Sequence, residues 1–525
     1  MVTKLRLIRN GNQCRKYRHA AVAAGFFFVA MAFLVVYKPR SLAVPNFGFR
    51  ASIASPDSGS NMVNGEDHAR NSLASGRNDD KQEEAFSENY YISDSKKESG
   101  REFKDTTMSN QERIMHVELP IVSNYTAPMQ LAAGEAIRRR KPLCDVSDPR
   151  VDICEMSGDI RITGNSSSIL FIEPPAAARP PEQWRVRPYP RKGDDTCLGG
   201  VRQFAVIARG DGPRCTVEHG DVPAVVFSVG GYTGNLFHDF TDLLVPLFVT
   251  ARPFHGKIQF VVADWKSWWI NKYLVVFRKL TDYPLMDLEQ QSAGQVHCFK
   301  QVVVGLRAHK EFLIDPVRSP NGYSMVDFTR FMRSAFSLER DTLSAANSSH
   351  PPRRKPRLML IARKQSRAFT NVPEIVAMAE ELGFEVMVAE AEAGSDLARF
   401  ARVVNSFDVM VGVHGAGLTN MVFLPANATV VQVVPWGALE WIAMLDFGNP
   451  ARAMGLRYVQ YSIGIEESTL RERYPREHAV FTDPMSFHRR GFAVVRSTFM
   501  VRQDVKLDVK RFRELLGKEL GHMIQ

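Results

Sequence analysis

The chain has 525 residues, 45% hydrophobic and 24% charged, a balance that accommodates one large or two medium globular domains with appendages. A formal net charge of +10 suggests a polyanionic partner until the charges are located. Lys4, Arg6, Arg9, Arg15, Lys16 and Arg18 crowd a head that contains no acid, and the mildly basic remainder lacks interleaved aromatic and basic residues, which speaks against nucleic acid as a partner.

Residues 1–19 read as a cytoplasmic tail. From Ala20 to Tyr37 the chain is apolar and uncharged, and Lys38, Pro39 and Arg40 follow. A signal peptide would carry an apolar region of about 7–15 residues ending in small side chains. This run ends instead in Leu34, Val35, Val36 and Tyr37, so residues 20–37 are expected to form an uncleaved transmembrane anchor. The cations before it keep the N-terminus cytosolic and send the rest across, a single-pass type II arrangement.

Residues 38–140 are rich in Ser, Asn, Asp, Glu, Lys and Gly without sustained periodicity, which predicts a disordered lumenal stem. The cluster Arg138, Arg139, Arg140 and Lys141 at its end reads as a solvated run rather than a processing or polyanion site. Five cysteines lie beyond the anchor, where an oxidising lumen permits disulfides. Pairing Cys144 with Cys154 and Cys197 with Cys215 closes short loops and leaves Cys298 odd, although sequence alone leaves the connectivity open. Glycosylation triplets stand at Asn124, Asn165, Asn347 and Asn427.

Beyond Cys144, short β-branched runs alternate with longer amphipathic segments, as in a parallel α/β sheet. Strands are expected at Phe204 to Ala208, Ala224 to Val229, Ile258 to Ala263 and Val302 to Leu306. After a polar break containing Pro351 and Pro352 they resume at Leu358 to Ala362, Glu385 to Ala389, Val409 to Val413, Thr429 to Val434 and Tyr458 to Ser462. Two lobes follow, residues 141–345 and 353–525, with ligands expected in the crevice at the carboxyl ends of the strands.

Three segments carry chemistry. The run from Val409 through His414, Gly415, Ala416, Gly417, Leu418, Thr419 and Asn420 is a strand breaking into small residues and then a helix start. Small residues let a phosphate approach the backbone, where N–H groups and the helix dipole stabilise a diphosphate, although such a turn also serves as a mere tight connection. The esterase alternative fails because no Gly-x-Ser-x-Gly elbow exists. In the second segment Arg363 and Arg367, at spacing four after a strand, suit one anion jointly, whereas Lys364 reads as exposed. The third, Gly230-Gly231-Tyr232-Thr233-Gly234-Asn235 followed by His238, Asp239 and Asp242, places Asn235, His238 and Asp242 on one helical face beside a glycine turn. It offers a general base, although capping by Asn235 and ordinary core hydrogen bonding by His238 would account for the same residues.

Together these blocks resemble plant glycosyltransferase family 61: Gly-Gly-Tyr-x-Gly-Asn-x-x-His-Asp-x-x-Asp, Arg-x-x-x-Arg and Val-His-Gly-Ala-Gly-Leu-Thr-Asn occur in order. Val433-Val434-Pro435-Trp436-Gly437 with Glu440, and Tyr323 to Phe328, fit two further blocks. The resemblance covers Cys144 to about Arg513. It implies a GT-B fold of two Rossmann-like lobes, an inverting and metal-independent reaction, no cofactor, and a UDP-sugar bound mainly by the second lobe. The absence of an Asp-x-Asp triplet agrees with metal independence.

On this reading Asp242 is the first choice of base, His238 the second and Asp239 the third, with Gly231 and Asn235 on the acceptor side. Arg363, Arg367, His414, Gly415, Ala416, Gly417, Thr419 and Asn420 hold the diphosphate, and Glu440 accepts ribose hydroxyls. Within the family the likeness extends to the grass xylan arabinosyl- and xylosyltransferases, which share the block seen here as Ser147-Asp-Pro-Arg-Val-Asp152. It implies a Golgi enzyme using UDP-arabinofuranose, or alternatively UDP-xylose, on a xylan acceptor. Core xylosylation of N-glycans, and a non-catalytic scaffold in a Golgi synthase complex, are the remaining alternatives.

Overall fold

A strand buried on both faces reads as a largely apolar run, and two such runs, Ala224–Ser228 and Gln259–Ala263, pair side by side within the first sheet in a computed structural model of the protein. The structure describes residues 142–173, 182–290, 294–343, 354–390 and 396–524. The expected anchor, the stem, Pro351, Pro352, Asn124 and Asn347 lie outside these residues. Among the described residues no helix is long and apolar enough to cross a membrane.

Across the first sheet the strands run in the order Gln183–Val186, Phe204–Arg209, Ser168–Ile172, Ile153–Thr163, Val296–Val304, Ala224–Ser228, Gln259–Ala263 and Met286–Asp287. Val296–Val304 through Met286–Asp287 pair in parallel, but Ile153–Thr163 is antiparallel to both its neighbours. The first lobe is therefore mixed, not the parallel sheet expected. The long antiparallel strand escapes the sequence pattern because exposed Ser157, Gly158 and Asp159 interrupt its alternation, while Cys154, Met156, Ile160 and Ile162 still face the core.

The second sheet is parallel throughout, in the order Glu385–Glu390, Arg357–Ala362, Val409–Val413, Thr429–Val434 and Arg457–Ser462. All five expected strands form. The strand order reverses at Arg357–Ala362, so the connections leaving it and Val409–Val413 diverge. A crevice opens between those two carboxyl ends, the place where open α/β sheets bind ligands. Arg363 follows the first strand and His414 the second.

The helix Met325–Phe336 starts with a capping box in which Ser324 Oγ accepts from the Asp327 amide and Asp327 Oδ2 accepts from the Ser324 amide at 2.9 Å. Its aromatics join the sheets: Phe328 meets Phe240, and Phe336 meets Phe423 with ring centroids 5.2 Å apart. One continuous apolar cluster runs from Phe227 and Phe260 in the first lobe to Met410 and Val430 in the second.

The described cysteines pair as Cys144–Cys154 and Cys215–Cys298, leaving Cys197 buried and free. The expected Cys197–Cys215 bridge is corrected. Parallel pairing of Val217–Glu218 with His297–Cys298 brings Cys215 beside Cys298, 83 residues away, a proximity that loop length does not reveal. Asn165 and Asn427 are both exposed.

Candidate active site

The strand Ala224–Ser228 runs into Gly230 and Gly231, and neither glycine has room for a side chain. A Cβ on Gly230 would lie 2.1 Å from the Gly200 carbonyl oxygen, and one on Gly231 would lie 2.5 Å from the Tyr189 ring. The pair is required for close packing rather than for mobility. Asn235 then caps the helical turn Leu236–His238, its Oδ1 accepting from the Phe237 amide at 3.0 Å. Asp239–Leu244 continues as a π-helical turn, a wider winding that recurs at functional sites.

That winding separates the three base candidates. His238 lines a cavity of about 60 Å³, while Asp242 and Asp239 do not. Asp242 is fully buried behind His238. Its Oδ2 lies 3.0 Å from His238 Nδ1, and its carboxylate also accepts from Arg191 Nε at 3.0 Å and Tyr189 OH at 3.1 Å. Burial by itself would push the Asp242 carboxyl up, but the Arg191 and His238 charges outweigh it and hold it below the ordinary range. Arg191 Nη2 also reaches Glu311 at 2.9 Å, and Arg150 Nη1 meets the same carboxylate at 2.8 Å. Glu311 is likewise depressed, burial being outweighed by Arg150 and Arg191. Arg150 belongs to the Asp-Pro-Arg block, so that block supplies the far end of a buried ionic chain leading to His238.

Asp239 is sealed from the cavity. It accepts from the Gly234 amide at 2.8 Å, Trp269 Nε1 at 2.8 Å, Tyr273 OH at 2.7 Å and Lys272 Nζ at 3.3 Å. Asp242 thus stands behind His238, and Asp239 ties the turn to the helix Ser267–Lys272.

In the second lobe the two arginines converge on one glycine. A Cβ on Gly415 would stand 2.7 Å from Arg363 Nη1 and 3.4 Å from Arg367 Nη1, and Gly415 has φ +144°. Both guanidinium groups thus lie against a backbone without a side chain. Arg363 Nε donates to the Ser366 carbonyl at 2.8 Å, and Arg367, itself at φ 56°, donates its amide to the Gln503 carbonyl at 2.9 Å. Lys364 is exposed and paired with Glu390.

The segment Ala416–Phe423 is a 3₁₀ helix rather than an α-helix. Ala416 lines the cavity; Gly417, Thr419 and Asn420 are buried beneath it, with Asn420 Nδ2 donating to the Gly417 carbonyl at 2.9 Å. His414 also lines the cavity, its Nδ1 2.8 Å from Gln432 Nε2. With that amide donating, the imidazole proton belongs on Nε2. Glu440 is exposed at the start of the helix Glu440–Ala443 and does not line the cavity, whereas Ile442 from the same helix does.

Asp446, Phe447, Phe492, Arg496 and Met500 complete the cavity wall together with Asn235 and Phe237. Motif reading misses all five of the former because they come from segments without a recognisable spacing. Tertiary packing delivers them: Gly437, at φ +128°, leaves no Cβ to collide with Phe499, whose helical turn carries Arg496 and Met500. Gln503 donates to the Trp436 and Phe499 carbonyls, at 2.9 and 2.7 Å, and so fastens this turn to the loop before Glu440.

Asp446 is only 6% exposed, and its Oδ1 is buried without a hydrogen-bond partner among the described residues. Burial, and then repulsion from Glu311, push its carboxyl well above the ordinary range. Leaving such an atom unsatisfied costs about 1–3 kcal/mol.

Residues 236–431 match the family Glycosyltransferase 61. The chain is 53% identical over 416 residues to the rice alpha-1,3-arabinosyltransferase XAT3, covering 78% of this chain and 71% of that protein. It is 55% identical to rice XAT2, another alpha-1,3-arabinosyltransferase, over 74% of this chain and 65% of the relative. It is 43% identical to the rice beta-1,2-xylosyltransferase XYXT1, over 73% of this chain and 84% of the relative.

Proposed function

Since the chain belongs to glycosyltransferase family 61, we propose that it transfers arabinofuranose from a UDP-sugar to a xylan backbone as an inverting α-1,3-arabinofuranosyltransferase. The observation that carries transfer is the convergence of Arg363 and Arg367 on Gly415, with Arg367 and Gly415 in a cavity wall shared with His238. Cations face the position where a diphosphate leaves, and a base candidate borders the same space. The choice of pentose rests on what the two rice arabinosyltransferases are named for, and the xylosyltransferase relative supports the second reading, transfer of xylose.

His238 removes the proton of an acceptor hydroxyl while that oxygen attacks the anomeric carbon. The carbon–oxygen bond to UDP breaks on the opposite face, so a single displacement inverts the centre. Asp242 holds His238 Nδ1, which leaves Nε2 to take the proton and stabilises the imidazolium that results. Arg363 and Arg367 receive the charge that collects on UDP, replacing a divalent cation.

The lobes act as the halves of a GT-B enzyme, the second holding UDP and the first the acceptor. The uncharged run 20–37 anchors the chain in the Golgi membrane as a type II protein, with the body in the lumen. The deciding assay incubates the full chain with UDP-arabinofuranose or UDP-xylose and xylo-oligosaccharides, and resolves the products by linkage. An α-1,3-arabinofuranosyl product is expected, a β-1,2-xylosyl product selects the second reading, and no transfer from either donor sinks both.

A further inference from the structure

Asp446 lies on the π-helical turn Met444–Gly448 and lines the same cavity as His238, Arg367, His414 and Arg496. Its Oδ1 is buried with no hydrogen-bond partner among the described residues, and its Oδ2 is 3.9 Å from His414 Nε2, outside hydrogen-bond range. Phe447, Ile442, Phe492 and Met500 make the neighbouring wall apolar. Phe447 is itself fixed between Phe237 and His414, with ring centroids 5.4 and 5.5 Å away, so the turn is held firmly. A protein would not be expected to keep a buried carboxyl oxygen unsatisfied in a rigid apolar wall unless a ligand completes it.

Three ligand chemistries fit a site between arginines and an imidazole. A phosphate is better met by the guanidinium groups of Arg363 and Arg367 across Gly415 than by a carboxyl group. An aromatic base needs a stacking face, which Asp446 lacks. A hydroxyl both donates and accepts, and so suits a carboxyl in either protonation state. Resting on the transferase reading above, we infer that Asp446 recognises a hydroxyl group of the transferred sugar, fixing the ring between the diphosphate and His238. The nucleotide half of the donor does not touch it.

The test uses the full chain with Asp446→Asn and Asp446→Leu, and follows UDP-arabinofuranose and UDP-xylose transfer alongside the binding of UDP alone by calorimetry. For Asp446→Leu, kcat/KM for the preferred donor should fall about 10- to 100-fold, with Asp446→Asn retaining more. UDP alone should bind both variants within about twofold of wild type. Neither variant should melt at a lower temperature, because removing an unsatisfied buried carboxyl relieves a cost. Unchanged transfer by Asp446→Leu, or UDP affinity falling in step with turnover, would overturn the assignment. If wild type transfers neither sugar, the transferase reading fails and this one with it; if wild type transfers and the variants do not differ from it, only this one fails.

Discussion

At the scale of single residues, what matters is which side chain can meet a substrate and which stands behind it. His238 borders the cavity, and Asp242 is fully buried with His238 on one side and Arg191 on the other. His238→Ala should therefore lower transfer by about 10² to 10⁴, with UDP affinity by calorimetry unchanged. Asp242→Asn should also slow transfer, but the double variant should be little worse than His238→Ala alone, because the two residues act as one unit. Full additivity in that cycle would show that Asp242 works independently. Asp239 behaves differently: Asp239→Ala strands Lys272, Trp269 and Tyr273 around an empty acceptor, so the expected effect is a loss of stability of about 3–5 kcal/mol in urea denaturation. The motif His-Asp-x-x-Asp places three titratable groups close together, but only a π-helical winding decides which of them faces inward. Sequence spacing at 3.6 residues per turn does not contain that information.

Elements show the same division between what is local and what is assembled. The arginines and the Gly415 turn were legible because each follows an unbroken β-branched strand, and a strand end in a parallel sheet is where binding groups collect. Asp446, Arg496 and Gln503 were not, since they are separated from those strands in sequence, and the turn carrying Arg496 is seated by the packing of Gly437 against Phe499. The antiparallel strand Ile153–Thr163 was missed for a comparable reason, its middle being polar and exposed.

The Gly415 turn yields a prediction at this scale. Gly415→Ala forces a strained φ and drives a methyl group into Arg363, so UDP should bind about tenfold more weakly, equivalent to about 1.4 kcal/mol, while melting temperature changes little. Equal UDP affinity would remove the arginines from the binding site. Another concerns the bridge between Cys215 and Cys298, which closes an 83-residue loop within the first sheet. Cys298→Ser should cost about 2–5 kcal/mol in denaturant unfolding, whereas Cys197→Ser, at a buried free thiol, should cost less.

For the whole molecule, the two sheets meet through aromatic side chains rather than across an open solvent gap. Phe240 and Phe336 both touch Phe423, and the apolar cluster crosses without interruption. The cavity occupies the edge of that junction, so cations from one sheet and His238 from the other are presented together. With two guanidinium groups already converging there, transfer should persist in excess EDTA; complete loss restored by manganese would mean that a cation shares the diphosphate.

The shared core also sets how the chain comes apart. Because one cluster takes residues from both sheets, heating should give a single calorimetric transition whose van't Hoff and calorimetric enthalpies agree. Residues 142–343 and 354–524, expressed separately, should each expose one side of that cluster and precipitate. Whatever enters the cavity beside His238 is then met at once by side chains from both halves, on the rim of the core that joins them.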